Sequence, residues 1–297
     1  MSDVGFILVD KPQGWTSHDV VAKIRKHTGG KVGHAGTLDP MATGLLVLAL
    51  GKATRLLRFL QSQPKEYVAT AVFGVATDSL DADGAVLGRE PLSVSEADVR
   101  AVMARFEGRI LQVPPMISAR KIEGKRLYSL AREGKVVERE PRPVEIYHLA
   151  LIELAPGSYP EVTFEVRCGT GTYVRTLADD IARSLGGRAH LSALRRTKNG
   201  SLSVESAHTV EAVVASAEAG ALDQLVVPPS VALGDLAEAT VDPELLRAVR
   251  NGATVPVTIL QGELPDESYV RMLDGNGDLL GVYRVVGRTA KPEVVLA

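Results

Sequence analysis

The segment at residues 33–40, GHAGTLDP, places one histidine and one carboxylate in a loop interrupted by glycine and proline. The carboxylate of Asp39 could act as a nucleophile, because carboxylates form covalent intermediates in several enzyme classes. The apolar run at 45–50 is typical of a fully buried strand, which would hold the loop firmly. On spacing alone, an aspartate before a proline more often marks a turn in which it bonds its own backbone. Chemistry at Asp39 therefore needs support from other residues.

Two further polar residues fall on elements that the apolar pattern predicts. Tyr67 lies in the alternating segment 65–74, which is typical of a strand. Arg175 lies near the start of residues 172–185, an amphipathic helix by its apolar spacing. Taken singly, a strand tyrosine is more often a core or surface residue, and a helix arginine is more often solvated. Neither residue alone identifies a reaction.

Five separated motifs resemble those of the TruB family, the bacterial tRNA pseudouridine synthases that modify uridine 55 in the T arm. They are Lys11-Pro12 with Gly14 and Ser17; residues 33–44; Lys65-Glu66-Tyr67; residues 171–175 (GTYVR); and Leu194-Arg195-Arg196. A further similar block consists of Pro114, Ser118, Ala119, Lys121, Gly124 and Tyr128. The resemblance covers about the first 200 residues. Its departures are small: Val174 and Phe73 stand where the family more often has isoleucine and leucine.

The resemblance implies a role for each matched residue. Asp39 would be the catalytic aspartate, Tyr67 the active-site tyrosine and Arg175 the arginine paired with the aspartate. The substrate contacts of the family would fall on His34, Tyr67, Tyr173 and Leu194. The opening motif at 11–17 would support the catalytic loop without taking part in the chemistry.

Isomerisation of uridine to pseudouridine breaks the glycosidic bond, turns the base and rejoins it through carbon. The reaction needs no redox cofactor and no metal, and the sequence offers no glycine-rich phosphate loop or metal-ligand cluster. An arginine beside Asp39 would favour the ionised carboxylate and orient it. The target uridine must be flipped out of a folded RNA loop, with His34 stacking or wedging beside it. Whether Asp39 attacks the sugar, removes a sugar proton or adds to the base stays open at this point.

Charge is distributed unevenly along the chain. The net charge is −2, but residues 1–198 hold 28 lysines and arginines against 22 acidic residues, whereas residues 199–297 hold 6 against 14. Basic residues cluster in 20–38, 120–142 and 188–198. Such clusters are expected where a protein binds a phosphate backbone, although any one of them could be ordinary solvated surface. We expect the acidic stretch at 205–244 to be a connector.

Length and cysteine content narrow the class of protein. A chain of 297 residues, 45% of them hydrophobic, can bury a sizeable core. The single cysteine, Cys168, excludes an internal disulfide and indicates a reducing compartment. No secretion signal is visible, and the longest apolar run, 45–50, is too short to span a bilayer. We therefore expect a soluble, cytoplasmic protein.

Strands dominate the first part of the chain without regular strand–helix alternation. This predicts an α+β fold with a mixed or antiparallel sheet flanked by helices, as in pseudouridine synthases. Near residue 228 the pattern changes, and short strands are predicted at 269–273, 279–286 and 293–296. We predict a catalytic domain at 1–227 and a small, mostly β domain at 228–297 that resembles the RNA-binding PUA domains. This second domain is expected to bury little of the core of the first.

Three functions fit these observations. The leading hypothesis is a stand-alone, cofactor-free tRNA pseudouridine-55 synthase, a monomer that acts on the T arm with no obligate protein partner and no membrane. The second is a guide-RNA-dependent relative that acts on ribosomal RNA with protein partners; the short N-terminus and the lack of a basic C-terminal tail disfavour it. The third is a non-catalytic RNA-binding or RNA-folding module. The set Asp39, Tyr67 and Arg175 argues against the third, without excluding a second role in RNA folding.

Overall fold

A computed structural model describes residues 4–116, 121–122, 125–126, 137, 139–261 and 264–296. The chain divides into two compact units, each of which combines distant parts of the sequence. The first unit comprises Met1–Leu38, Gly44–Ser62 and Asn199–Ala297, and the second comprises Asp39–Thr43 and Gln63–Lys198. The domain boundary predicted between residues 227 and 228 stays a prediction.

The first unit starts with a strand, a helix and two further strands. These are β1 (Gly5–Lys11), α1 (Ser17–Thr28), β2 (Val32–His34) and β3 (Thr43–Leu50), followed by a 3₁₀ helix (Gly51–Leu56) and α2 (Leu57–Ser62). Strand β3 pairs antiparallel with both β1 and β2. Helix α1 begins at a capping box between Thr16 and Asp19 and ends at Gly29, whose φ of 70° is left-handed. The sequence predicts a helix that is capped at Thr16-Ser17 and ends at Gly29-Gly30, and the structure confirms it.

The second unit contains five neighbouring strands of a larger sheet. Its elements are β4 (Lys65–Phe73), β5 (Val75–Thr77), β6 (Val86–Arg89), α3 (Glu96–Met103), β7 (Gly108–Gln112), β8 (Lys121–Ile122), β9 (Lys125–Arg126), β10 (Arg142–Ala155), β11 (Glu161–Cys168), α4 (Val174–Ser184) and β12 (Ala189–Asn199). The strand order is β12–β4–β11–β10–β7, and the neighbours from β4 to β7 are antiparallel. Alternate residues of β11 are buried, as the apolar alternation predicts.

The remainder of the first unit contains a second sheet. Its elements are β13 (Leu202–Ser203), β14 (His208–Thr209), α5 (Val210–Glu218), α6 (Pro229–Ala232), β15 (Ala237–Thr240), α7 (Leu246–Arg250), β16 (Val255–Pro256), β17 (Tyr269–Leu273), β18 (Leu279–Val286) and β19 (Thr289–Val295). The last five strands form a sheet in the order β15–β17–β18–β19–β16. The strands predicted at 269–273 and 279–286 are confirmed, whereas the strand predicted at 293–296 is longer and starts earlier, at Thr289. The α+β fold with a C-terminal β-rich segment is confirmed.

The expectation that residues 228–297 bury little of the core is wrong. Leu279 and Val282 of β18 belong to one buried apolar cluster with Phe59 of α2. At its edge, Arg58 Nη2 lies 2.6 Å from Glu293 Oε2. Burial of apolar surface is worth roughly 25 cal/mol per Å², so this shared cluster stabilises both segments. This contact could not be predicted from local sequence patterns, because Leu279 and Val282 lie far from Phe59 along the chain.

Two other predictions differ from the structure or fall outside it. Residues 52–60, predicted as one helix, form a 3₁₀ helix before α2, and the Thr54 hydroxyl donates to the Gly51 carbonyl at 2.8 Å in that tight turn. The short helix predicted to end at Gly134 lies outside the described residues, as do Ser118, Ala119, Gly124 and Tyr128 of the similar block. Within the described ranges, no helix is long and apolar enough to cross a membrane.

Candidate active site

Asp39 and Arg175 meet in the second unit. Asp39 lies in a turn closed by the Ala42 amide, which donates to the Asp39 carbonyl at 3.1 Å. Arg175 lies in the first turn of α4, and its side chain is 4% exposed, whereas that of Asp39 is 37% exposed. The Arg175 Nη2 and Asp39 Oδ2 atoms are 3.0 Å apart. The predicted pairing of these two residues is present, with the cation buried and the carboxylate accessible.

A second carboxylate, Asp81, holds the other side of the same guanidinium. Arg175 Nη1 donates to Asp81 Oδ2 at 3.0 Å and to the Ser79 carbonyl at 2.7 Å. The side chain of Asp81 is only 8% exposed. A buried cation is costly unless it is paired and hydrogen-bonded, and Asp81 meets that need from within the protein. Asp39 is therefore oriented by Arg175 without being its sole counter-charge.

Sequence reasoning missed Asp81 and placed it in a turn region. The backbone conformation of this turn orients the Asp81 carboxylate. The preceding residue, Leu80, has a φ of 62°, which is rare for a residue with a side chain. The Ser79 hydroxyl and the Asp83 amide both donate to Asp81 Oδ1. The Leu191 amide fixes the Leu80 carbonyl at 3.0 Å. Nothing local in the sequence reveals that this loop reaches Arg175.

Tyr67 lies on β4 near the same charges. Burial raises the pKa of its hydroxyl above the ordinary value and outweighs the Arg196 charge, which lowers this pKa; the negative charge of Asp39 makes a smaller contribution that raises it. Arg196, which is 1% exposed on β12, donates a hydrogen bond to the Tyr67 oxygen. The hydroxyl thus stays protonated at neutral pH and can donate a hydrogen bond. This favours an orienting role for Tyr67 over that of a resting general base.

Lys65 lies near both Arg196 and Cys168. Burial and the nearby Arg196 charge lower the pKa of the Lys65 ammonium to about 8. Burial raises the pKa of the Cys168 thiol to about 11, which keeps it in the inert thiol form at neutral pH. The sequence predicts a buried small residue and not a nucleophile at Cys168, and the structure shows the residue buried.

The predicted substrate contacts are distributed over both units. In the second unit, Tyr173 immediately precedes α4 and is half-buried, and Leu194 is buried on β12. His34 belongs to the first unit, where it lies on β2 with its ring edge-on to His18 at 5.7 Å between centroids. The sequence predicts a loop at this position, but β2 pairs with β3 through His34.

Three basic side chains of the stretch at 188–198 are paired within the protein. Arg188 Nε lies 2.8 Å from Asp179 Oδ1, Lys198 Nζ lies 3.1 Å from Glu66 Oε2, and Arg196 is buried against Tyr67. By contrast, four basic residues of the stretch at 20–38 are exposed: Lys23, Arg25, Lys26 and Lys31. In the part of the chain that the structure describes, no group of three metal-ligating side chains could hold a metal ion.

Two family models match this chain. The family described as "TruB family pseudouridylate synthase (N terminal domain)" matches residues 23–174. The "tRNA pseudouridylate synthase B C-terminal domain" matches residues 175–234. The chain belongs to the TruB family. This confirms two predictions from the sequence, namely that the chain is a member of the TruB family and that it is an isomerase of the pseudouridine synthase type.

Individual relatives agree with this assignment. The chain is 43% identical to the tRNA pseudouridine synthase B of Burkholderia mallei (strain NCTC 10247), over 97% of this chain and 95% of the relative. It is 44% identical to that of Symbiobacterium thermophilum, over 85% of this chain and 83% of the relative. Two solved structures resemble it across 99% of this chain and 85% of theirs. They are an H/ACA RNP bound to a substrate RNA containing 2'-deoxyuridine (TM-score 0.77, 27% identity) and a Cbf5-Nop10-Gar1 complex (TM-score 0.78, 29% identity).

The opening motif of this TruB family member braces the backbone that leads to Asp39. The Leu38 amide donates to the buried Ser17 hydroxyl at 2.9 Å, and that hydroxyl lies 3.2 Å from the Leu38 carbonyl. Lys11, which is fully buried, donates to the Pro12 and Trp15 carbonyls at 2.8 and 2.6 Å. These contacts agree with the supporting role that the resemblance implies.

Proposed function

We propose that this TruB family enzyme converts uridine 55 in the T arm of tRNA to pseudouridine, alone and without a cofactor. The 43% identity to a tRNA pseudouridine synthase B across 97% of the chain supports tRNA as the substrate. The observation that carries the mechanism is the accessible Asp39 carboxylate, 3.0 Å from the buried Arg175 guanidinium.

Asp39 is the nucleophile in this proposal. Its carboxylate bonds to the sugar carbon C1′ as the glycosidic C1′–N1 bond breaks. C5 of the turned uracil then bonds to C1′, the carboxylate leaves, and the C5 proton is lost to solvent. Arg175 holds the carboxylate in one orientation, and Asp81 balances the buried charge of Arg175. A preoriented charge need not reorganise during the reaction, which lowers the barrier.

The remaining site residues receive the flipped nucleotide. A uridine in the T loop must leave its stack to reach Asp39, and a pocket with aromatic and apolar walls stabilises the extruded base. We assign the base contacts to His34, Tyr67, Tyr173 and Leu194. The protonated hydroxyl of Tyr67, held by Arg196, would donate a hydrogen bond to the base or the sugar.

RNA affinity in this proposal comes from phosphate contacts. The exposed Lys23, Arg25, Lys26 and Lys31 would neutralise phosphates, so affinity should fall as salt rises. The five-stranded sheet at 237–295 would contact RNA outside the T arm. We also propose that the enzyme acts as a cytoplasmic monomer without an obligate protein partner.

A guide-dependent enzyme is the second candidate. It is supported by the TM-score of 0.77 to a protein solved in an H/ACA RNP. The two candidates differ in what must be added, because only the first works on a bare stem-loop.

Incubation of the purified chain with an unmodified T-arm stem-loop, followed by pseudouridine mapping, tests the proposal. We expect product at position 55 with no other RNA or protein, and none on a stem-loop with cytidine at that position. Product that appears only with a guide RNA and partner proteins would favour the second candidate. Tight binding without product would favour a non-catalytic RNA-binding module.

A further inference from the structure

Gln112, at the end of β7, forms two hydrogen bonds with the backbone of Tyr173 through the oxygen and the nitrogen of its side-chain amide. Its Oε1 accepts from the Tyr173 amide at 2.7 Å, and its Nε2 donates to the Tyr173 carbonyl at 3.1 Å. Gln112 is 2% exposed, so the loss of these bonds would leave a buried amide without partners, which is costly. A paired, buried amide of this kind fixes a peptide in both position and rotation.

The backbone of Tyr173, which Gln112 holds, lies at the start of helix α4. Tyr173 is the N-cap residue of α4, and its side chain makes no capping hydrogen bond. Its carbonyl also accepts from the Leu177 amide at 3.0 Å, which closes the first helical turn. Arg175 lies inside this turn, so a shift of the Tyr173 peptide moves the guanidinium relative to Asp39 and Asp81.

We propose that Gln112 is a positioning residue for pseudouridine formation. It sets the first turn of α4 so that Arg175 meets Asp39 at hydrogen-bond distance and the Tyr173 ring faces the substrate. Gln112 acts through these two residues and takes no part in bond making. The proposal rests on the function proposed above, and it concerns a residue that no sequence motif identified as part of the site.

Two variants separate positioning from packing. Gln112→Met keeps the length of the side chain and removes both hydrogen bonds. Gln112→Glu keeps an acceptor for the Tyr173 amide but sets a carboxylate against the Tyr173 carbonyl. At lower pH the introduced carboxyl becomes protonated and can again donate, as the amide does. Thr163→Val is the matched control, because it removes the 3.0 Å hydroxyl contact with Thr70 between β11 and β4 in the same unit.

Single-turnover rates on saturating T-arm stem-loop measure the effect. We expect Gln112→Met to lower the rate by about 30-fold, since a displacement near 1 Å can cost about 100-fold. Its RNA affinity should stay within about threefold, and Thr163→Val should lose less than about threefold in rate. The rate of Gln112→Glu relative to wild type should rise several-fold from pH 8 to pH 5.5. A rate loss in Gln112→Met no larger than in the control, or a pH-independent Gln112→Glu ratio, would overturn the proposal.

Asp39→Asn in the same assay keeps this inference separate from the proposed function. If Asp39→Asn retains turnover, the proposed function of the site fails whatever the Gln112 variants do. If Asp39→Asn is inactive and Gln112→Met remains as active as the control, only the positioning role fails.

Discussion

Arg175 in the second unit and Phe59 in the first are 3% and 2% exposed, but their surroundings have little in common. Two carboxylates and a carbonyl surround the guanidinium of Arg175 at 2.7 to 3.0 Å. Phe59 lies in a cluster of apolar side chains and meets the ring of Tyr269 edge-on at 5.1 Å. A buried charge needs partners at fixed distances, whereas an apolar cluster needs mainly volume. Substitutions in the first region should therefore impair the reaction, and those in the second should impair folding.

Removal of residues 228–297 should give the largest effect. A chain that ends at Val227 loses Leu279 and Val282 from the apolar cluster of Phe59, and it loses the Tyr269 ring that Phe59 contacts. We expect no cooperative thermal unfolding transition by circular dichroism, or one lowered by more than about 15 °C, since each kcal/mol shifts a chain of this size by about 2–4 °C. A truncated protein that unfolds like the full chain and modifies the stem-loop would show instead that the segment is a separable domain.

Arg175→Met comes next and should act mainly on the reaction. The substitution removes the cation that orients Asp39 and leaves the buried Asp81 carboxylate without this partner. We expect the single-turnover rate to fall by at least about 1,000-fold. Arg183→Met on the same helix is the control, because Arg183 is 54% exposed and pairs with Asp179 instead. Equal rate losses in the two variants would mean that α4 is merely sensitive to lost charge.

Asp81→Asn should have a smaller effect on the rate. The amide keeps the shape of the side chain but removes one of the two negative charges at Arg175. The guanidinium then draws Asp39 more strongly, and we expect a loss of about 10- to 100-fold in single-turnover rate with RNA affinity unchanged. The exposed neighbour Asp83 provides the control variant, Asp83→Asn. An unimpaired Asp81→Asn enzyme would remove Asp81 from the site.

The smallest effect concerns Asp180, a carboxylate on α4 that has no such built partner. Burial and the charge of Asp179 raise its pKa from 3.8 to about 6. The folded state therefore binds more protons than the unfolded state between pH 4 and 6, and the free energy of unfolding falls as pH rises through that window. Asp180→Asn should stabilise the protein by about 1 kcal/mol at pH 7.5, a value discounted for partial exposure, and by nothing at pH 4. Denaturant unfolding at both pH values measures this, and a pH-independent difference would contradict it.

The elements of these two regions could be predicted from sequence better than their contacts. The capping box at Thr16 and the glycine at 29 define α1 locally, and alternation defines β11. Asp81 could not be predicted as a site residue, because its ion pair with Arg175 spans 94 residues and depends on the left-handed backbone of Leu80. The contact of Gln112 with Tyr173 could not be predicted for the same reason, since a polar residue at a strand end does not indicate a partner 61 residues away. The pairing of Asp39 with Arg175 was predictable only through resemblance to a family.

The central claim is that the Asp39 carboxylate carries out the chemistry while other residues bind the RNA. Asp39→Asn keeps the shape of the side chain and removes its charge, so single-turnover conversion of the T-arm stem-loop and RNA affinity should be measured on the same preparation. The protein should come from a host that lacks its own enzyme of this kind. We predict no detectable pseudouridine and an affinity within about threefold of wild type, as expected when a group acts in the reaction and not in ground-state binding. Conversion within tenfold of the wild-type rate would contradict the account.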